Sequence, residues 1–396
     1  MAAARQLEGL LIDVHTHVYL PRYASFLRSR TQVPRIFSRT NPASGQPEER
    51  LLILDNEPSA GRPIGAQYWD RDEKLKFMDR HGIHVSVVSS ANPWLDFLPA
   101  TTAHQLAGEL NEDLEVYCSS SPSVSPTNNE LKRLYGFGLL PLVPEISTAS
   151  LVEVVEQISE LPHLKGIILG TKGLGKGLDD DALEPVWEAI SKAGLVVFLH
   201  PHYGVDGKAW GDKDNGHVLP LALGFPFETT TAVTRLILSG VFDRHPDLRI
   251  LLAHSGGTLP QLSSRLASCI DHDPVVASRL KHDARYYLGK LYYDAVAYGS
   301  EELGFVSDVI GRAEKFSAAP SSASASKGVG LQAKRSLGNQ RMLFGTDHPF
   351  FPPLRKTDKW KSVVENLEAI DGVEGWNEEG KADVRGGNAR RLFGLP

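Results

Sequence analysis

Four histidines and two aspartates stand where short apolar runs end, and their types and spacing describe a metal centre beside a proton-transfer group. The densest group is Asp13-Val14-His15-Thr16-His17. Side chains at i and i+2 of an extended strand point the same way, so the imidazoles of His15 and His17 can converge on one cation. A lone His-x-His says little, but at the end of the first strand of a long parallel pattern it becomes specific. His200 closes LVVFLH and Asp347 closes RMLFGTD, runs too apolar to leave a polar group unpaired. Three neutral imidazoles and one carboxylate suit Zn²⁺, or another divalent first-row ion such as Mn²⁺ or Co²⁺, with one position open to water or substrate. Such a centre carries net positive charge and attracts a carboxylate.

His254 closes LRILLAH before Ser255-Gly256-Gly257, where glycines permit close approach of backbone and substrate. Its ordinary titration range suits an acid/base role near neutrality. Asp347 is a second candidate proton carrier. Asp294, ending LYYDAV, is expected to orient His254 or a loop. His202 follows Pro201 and is expected behind the first ring of ligands. Phe350 and Phe351 after Asp347, with Phe225 and Phe227, could line a slot for a flat ring, and Asn92 could hydrogen-bond it. Core packing explains the aromatic residues equally well. The remaining histidines considered, His81, His84, His104, His163, His245, His272 and His282, read as surface or packing residues.

Positioning these groups requires a parallel barrel. Apolar runs recur at 9–15, 83–89, 134–141, 164–170, 195–200, 248–254, 291–296 and 341–347, and most are followed by a helical pattern. Continuous apolar runs are what strands buried on both faces require, and eight of them close a (β/α)₈ TIM barrel. The spacing predicts helices over 70–82, with Leu75 and Met78 on one face, and over 180–194, each ending in glycine. Residues 20–66, rich in Arg, Pro and Ser, form a long β1–α1 insertion over the barrel mouth. Residues 316–338, rich in Ser and Ala, read as a flexible loop. The whole chain, 1–396, is expected to be a single barrel domain.

Composition narrows the function classes. Hydrophobic residues are 41% and charged residues 23%, ordinary for a globular chain. A formal charge of −6 without a long basic run argues against a nucleic-acid or membrane partner and for a small molecule. Asp13 and His15 interrupt the apolar N-terminal stretch before a signal segment could form, so a cytosolic location is expected. Cys118 and Cys269 fit neither a disulfide framework nor a zinc spacing.

The ordered motifs DVHTH, WD before FMDRHGI, GIILGTKG, FLHPH, LPLALGFPFETT, FDRHPDLRILLAHSGGTLP and FGTDHPF resemble the amidohydrolase-related decarboxylases typified by aminocarboxymuconate-semialdehyde decarboxylase. The resemblance implies metal ligands at His15, His17, His200 and Asp347, and a catalytic histidine at His254. It also implies that Arg62 and Arg265 hold a substrate carboxylate, Arg265 acting across the interface of a homodimer. An arginine fork suits that task because it offers a carboxylate two parallel hydrogen bonds. Within the family, ANPWLDF, GLGKGLDD, FLHPHYG and GTDHPFFPP are most similar to the isoorotate decarboxylases, which implies 5-carboxyuracil as substrate; aminocarboxymuconate semialdehyde is the alternative. Hydrolysis or hydration on the same barrel is the competing chemistry. Binuclear hydrolases of this fold add a modified bridging lysine at the fourth strand; Lys172 is nearby but in a Gly-rich loop, so one metal is expected. A non-catalytic metal-binding scaffold is the least favoured reading, because open three-histidine sites are typically catalytic.

Overall fold

The computed structural model describes residues 9–396 apart from 43, 56, 58, 59, 126, 127, 206–209, 318–330, 354, 356 and 357. Its thirteen strands are β1 (Ile12–Val18), β2 (Arg35–Thr40), β3 (Pro47–Leu52), β4 (Arg62–Ile64), β5 (Val85–Ser90), β6 (Ser123–Ser125), β7 (Asn128–Lys132), β8 (Leu134–Leu139), β9 (Leu164–Leu169), β10 (Val196–Leu199), β11 (Arg249–Leu252), β12 (Tyr292–Asp294) and β13 (Met342–Leu343). Eight of them form one parallel sheet in the order β1-β5-β8-β9-β10-β11-β12-β13. The seam between β13 and β1 is closed by the backbone of residues 344–348. Val14 N donates to Phe344 O at 3.0 Å, Asp347 N to His15 O at 2.7 Å, and His17 N to His348 O at 2.7 Å. The eight apolar runs are these eight strands, and the fold is the (β/α)₈ barrel that their continuous hydrophobicity demands. β1, β8 and β10 are buried along their whole length.

The principal helices are α1 (Pro21–Ser29), α2 (Arg71–His81), α3 (Ala100–Ser119), α4 (Thr148–Glu160), α5 (Glu184–Ala193), α6 (Phe225–Leu238), α7 (Leu259–Asp271), α8 (Ser300–Gly311), α9 (Leu331–Gly338) and α10 (Lys361–Gly372). The Asp70 side chain caps α2 by accepting from the amides of Asp72 and Glu73, and Gly82 ends it at φ 67°. The helix buries Lys74, Phe77, Met78 and His81, while Leu75 is only half-buried. The inward face is therefore rotated from the expected one and carries a lysine.

Three expectations change. β1 continues to Val18, so His15 and His17 lie within the strand instead of ending it. Conversely, β13 ends at Leu343, and Asp347 sits on the turn that follows, at φ 55°. The expected loop over 316–338 is in part a helix, α9, which packs closely on α8. A Cβ on Gly311 would lie 1.7 Å from the Lys334 carbonyl, and one on Gly338 would lie 1.9 Å from that of Ser307. Residues 318–330 of that stretch lie outside the described residues. The 20–66 segment contains α1 and the antiparallel sheet β2-β3-β4, which pairs Leu51 with Arg62.

Candidate active site

The side chains of His15, His17, His200 and Asp347 are buried and place one donor atom each within 4.8 Å of one another. β1 supplies the first two, the residue after β10 supplies His200, and the turn after β13 supplies Asp347. One oxygen of Asp347 lies 3.4 Å from His15 Nε2 and 3.5 Å from His17 Nε2. Its other oxygen lies 3.8 Å from His254 Nε2. The carboxylate thus faces the three-histidine cluster with one atom and the proposed acid/base imidazole with the other.

The second nitrogen of each ring fixes how the first is presented. His15 Nδ1 donates to Asp294 Oδ2 at 2.5 Å, and His200 Nδ1 to the Pro201 carbonyl at 2.7 Å. His17 Nδ1 lies 2.9 Å from Ser89 Oγ, whose own proton points to the Thr16 carbonyl. A carboxylate and a carbonyl only accept, so the protons of His15 and His200 sit on Nδ1, and the serine arrangement places His17's there too. Three Nε2 lone pairs then face one point. All three Nε2 atoms are enclosed and without a hydrogen-bond partner among the described residues, a costly arrangement for buried polar atoms unless a cation takes the lone pairs. The donor set therefore fits a divalent ion.

The electrostatics agree with a site built for positive charge. Burial opposes a charge on His15, but Asp347 and Asp294 outweigh it and hold the ring's pKa up at about 10, so a cation binding at Nε2 would displace a proton from it. Burial pushes His17 down to about 4, and His200 well below the usual histidine range, aided by the neighbouring imidazoles. Burial alone would raise Asp347, yet His15, His17 and His254 keep it well below the usual carboxylate range.

His254 and Ser255 both occupy left-handed backbone, at φ 53° and 52°. Asp294 holds this turn: its carboxylate accepts from the amides of His254 at 2.9 Å and Ser255 at 2.8 Å, while its carbonyl accepts from Ser255 Oγ at 2.7 Å. Asp294, expected to orient His254 or a loop, holds the loop backbone at His254 and also orients the His15 ring.

A cavity of about 580 Å³ opens above the cluster, lined among others by Arg62, Asn92, Phe225, His254, Asp347 and Phe350. Arg62 lies 4.5 Å over the Phe350 ring. Its Nη2 donates to Tyr19 Oη at 3.1 Å and to the Asn92 carbonyl at 3.3 Å, and its buried Nε lacks a partner among the described residues. Two expected substrate contacts are not brought here. Phe227 is 38% exposed and Arg265 is exposed on α7, and neither lines the cavity, because the faces of α6 and α7 that carry them turn outward. Asn92 does line the cavity, but its amide nitrogen is already committed to the His202 carbonyl.

The sequence reading missed Lys74, which is fully buried and bonds Thr16 Oγ1 behind β1, with His348 Nδ1 at 3.3 Å. It also missed Tyr298, His217, Lys361 and Glu365 at the cavity wall. The one available signal, and only for Lys74, was its place one turn before Met78 on α2.

Residues 127–395 match the family described as Amidohydrolase. The chain is 38% identical to the crystal structure of Metarhizium anisopliae isoorotate decarboxylase (IDCase) in apo form, with TM-score 0.79 over 100% of this chain and 99% of that one. It is 27% identical over 389 residues to 2-amino-3-carboxymuconate-6-semialdehyde decarboxylase of Dictyostelium discoideum, covering 98% of this chain and 92% of that protein. The fold is shared with 5-carboxyvanillate decarboxylase of Novosphingobium aromaticivorans complexed with manganese, at TM-score 0.68 and 19% identity over 98% of this chain and 96% of that one. Barrel, buried histidines and sequence match concur, and the chain belongs to the amidohydrolase family, in the branch these decarboxylases represent.

Proposed function

We propose that this protein is a metal-dependent, non-oxidative decarboxylase of a flat ring-borne carboxylate, with 5-carboxyuracil (isoorotate) giving uracil and CO₂ as the first reaction to test. One observation carries the reading: a single cavity sets a guanidinium over an aromatic ring, and both beside His254 and the enclosed histidine cluster. The likeness to the Metarhizium enzyme supports the choice of substrate. That to the Dictyostelium protein makes 2-amino-3-carboxymuconate-6-semialdehyde the alternative.

His15, His17, His200 and Asp347 would hold one divalent ion; zinc is the first candidate for three nitrogens and one oxygen, and manganese the second. When bound, such an ion supplies a Lewis acid that steadies negative charge developing on the substrate. Arg62 anchors an acceptor of the substrate, and Phe350 and Phe225 keep the ring in its slot. His254 delivers a proton to the ring carbon as its bond to the carboxylate breaks and CO₂ departs. Asp347 Oδ2, facing His254 Nε2, steadies the protonated imidazole and can exchange its proton.

We assign Arg265 to the site of a second copy, making the working unit a homodimer. Leu262, 42% exposed and one turn before Arg265 on α7, gives that face an apolar contact surface, as does Phe227 on α6. The reading is tested by measuring kcat/KM for 5-carboxyuracil, the muconate semialdehyde and a panel of amides and lactones, using protein loaded with zinc or manganese. CO₂ release from a carboxylate supports it. Turnover confined to the amides or lactones would replace it with hydrolysis.

A further inference from the structure

The segment GFPFETT, which opens α6, contributes Phe225 to the cavity, but its acidic residue has no part in the chemistry described so far. The Glu228 carboxylate points back to the loop after β10. It accepts from three consecutive backbone amides, His202 at 2.6 Å, Tyr203 at 3.3 Å and Gly204 at 2.5 Å, and from the Thr171 hydroxyl. Charge-assisted bonds to backbone amides are among the stronger ones in a protein, and here one carboxylate collects several of them. The loop that follows His200 is thereby fixed to the first turn of α6.

Fixing it has a consequence at Asn92. The carbonyl of His202 accepts from Asn92 Nδ2. A carbonyl cannot donate, so the nitrogen of that amide must face the loop and the oxygen must face away. The oxygen takes no donor from a described residue, and it is not among the enclosed, unpartnered atoms of the protein. Asn92 lines the cavity, and with its nitrogen committed to the loop, the oxygen is the amide atom left to accept a hydrogen bond from a ligand there. Arg62, on the same wall, has only donors to offer.

We propose that Glu228 is a positioning residue for specificity: by pinning the 202–204 backbone it turns the Asn92 amide so that its oxygen meets the cavity, selecting a ring that presents an N–H donor there and an acceptor to Arg62. The inference rests on the decarboxylase reading and adds to it the residue that sets the preference for a ring N–H. A site built to bond an N–H discriminates against the analogue lacking it, because the buried acceptor is left unpaired.

The test compares 5-carboxyuracil with its 1,3-dimethyl derivative in wild type, Glu228→Gln, Asn92→Ala and the double variant. Turnover is followed, and binding of uracil and of 1,3-dimethyluracil is followed by calorimetry. Wild type should prefer the N–H form by about tenfold or more, the scale of one hydrogen bond. Glu228→Gln should lose most of that preference at unchanged metal content, mainly through KM. In the Asn92→Ala background the Glu228 substitution should have no further effect on preference. Additive effects in the double variant, or an intact preference in Glu228→Gln, would overturn the proposal. So would loss of metal in step with loss of preference, which assigns Glu228 to the scaffold of His200. The binding arm separates this outcome from failure of the decarboxylase reading: uracil preference without CO₂ release sinks the reaction and keeps the role of Glu228. If Glu228→Gln does not fold, Thr171→Val removes one bond to the same carboxylate; it should reduce the preference by a smaller factor, and no change there counts against the proposal.

Discussion

At the residue scale, three of the four proposed ligands have supports of their own: Asp294 for His15, Ser89 for His17 and the Pro201 carbonyl for His200. Replacing His17 or His200 by alanine removes an Nε2 donor from an enclosed point, and we expect substoichiometric metal by elemental analysis and at least about 100-fold lower activity, as for open catalytic sites that lose a ligand. Asp294→Asn tests the support. It weakens the anionic partner of His15 Nδ1 while leaving one acceptor for the turn beneath His254. Metal affinity should fall by about 10- to 100-fold in a chelator-competition titration. Lys74→Ala removes the buried cation beside Asp13, whose own pKa burial pushes up to about 6 against the pull of Lys74. Asp13 then loses the cation that pulls its pKa down and buried Thr16 Oγ1 loses its lysine partner, so the melting temperature should drop by several degrees. The clustering of these four side chains was legible in sequence because a polar residue ending an apolar run needs a partner. Their supports were not. Asp294 meets His15 across 279 residues and Lys74 meets Thr16 across 58, and no local pattern marks either pair.

At the scale of elements, each strand was recognisable from its apolar run, since burial on both faces removes the alternation that would otherwise mark it. Boundaries were less legible at the seam. There Asp347 lies on a turn at φ 55° that tertiary hydrogen bonds to His15 impose. The 20–66 excursion showed its length but not its sheet, because β4 is three residues long and pairs only through β3. That sheet aims Arg62. Gly61, just before it, has φ 82°, and a Cβ there would lie 2.1 Å from the Leu51 carbonyl. Gly61→Ala should therefore strain the β3–β4 pairing by about 1–3 kcal/mol and raise KM with a smaller effect on kcat. Steady-state kinetics alongside thermal melts would check both parts. The helix α9 was hidden by the low-complexity composition preceding it, although its contact with α8 depends on the two small residues Gly311 and Gly338.

At the scale of the whole molecule, we take the barrel and its excursion as one cooperative unit. It should melt in a single calorimetric transition that rises on metal loading, because an ion that binds only the folded chain stabilises it by mass action. Two separate transitions would divide the chain. Among the described residues, no helix is long and apolar enough to cross a membrane. The homodimer proposed from Arg265 and Leu262 predicts that Leu262→Asp yields a monomer in sedimentation velocity, with a large loss of activity. An active monomer would remove Arg265 from the site. Decarboxylation with protonation by His254 is checked by incubating metal-loaded protein with 5-carboxyuracil in D₂O and following CO₂ and the mass of the product. One CO₂ is expected per uracil carrying a single deuterium at the former carboxylate carbon, with a rate about 100- to 10,000-fold lower in His254→Ala, the range for a lost acid/base group. Uracil formed by the variant at the wild-type rate, or a consumed substrate that releases no CO₂, would contradict it.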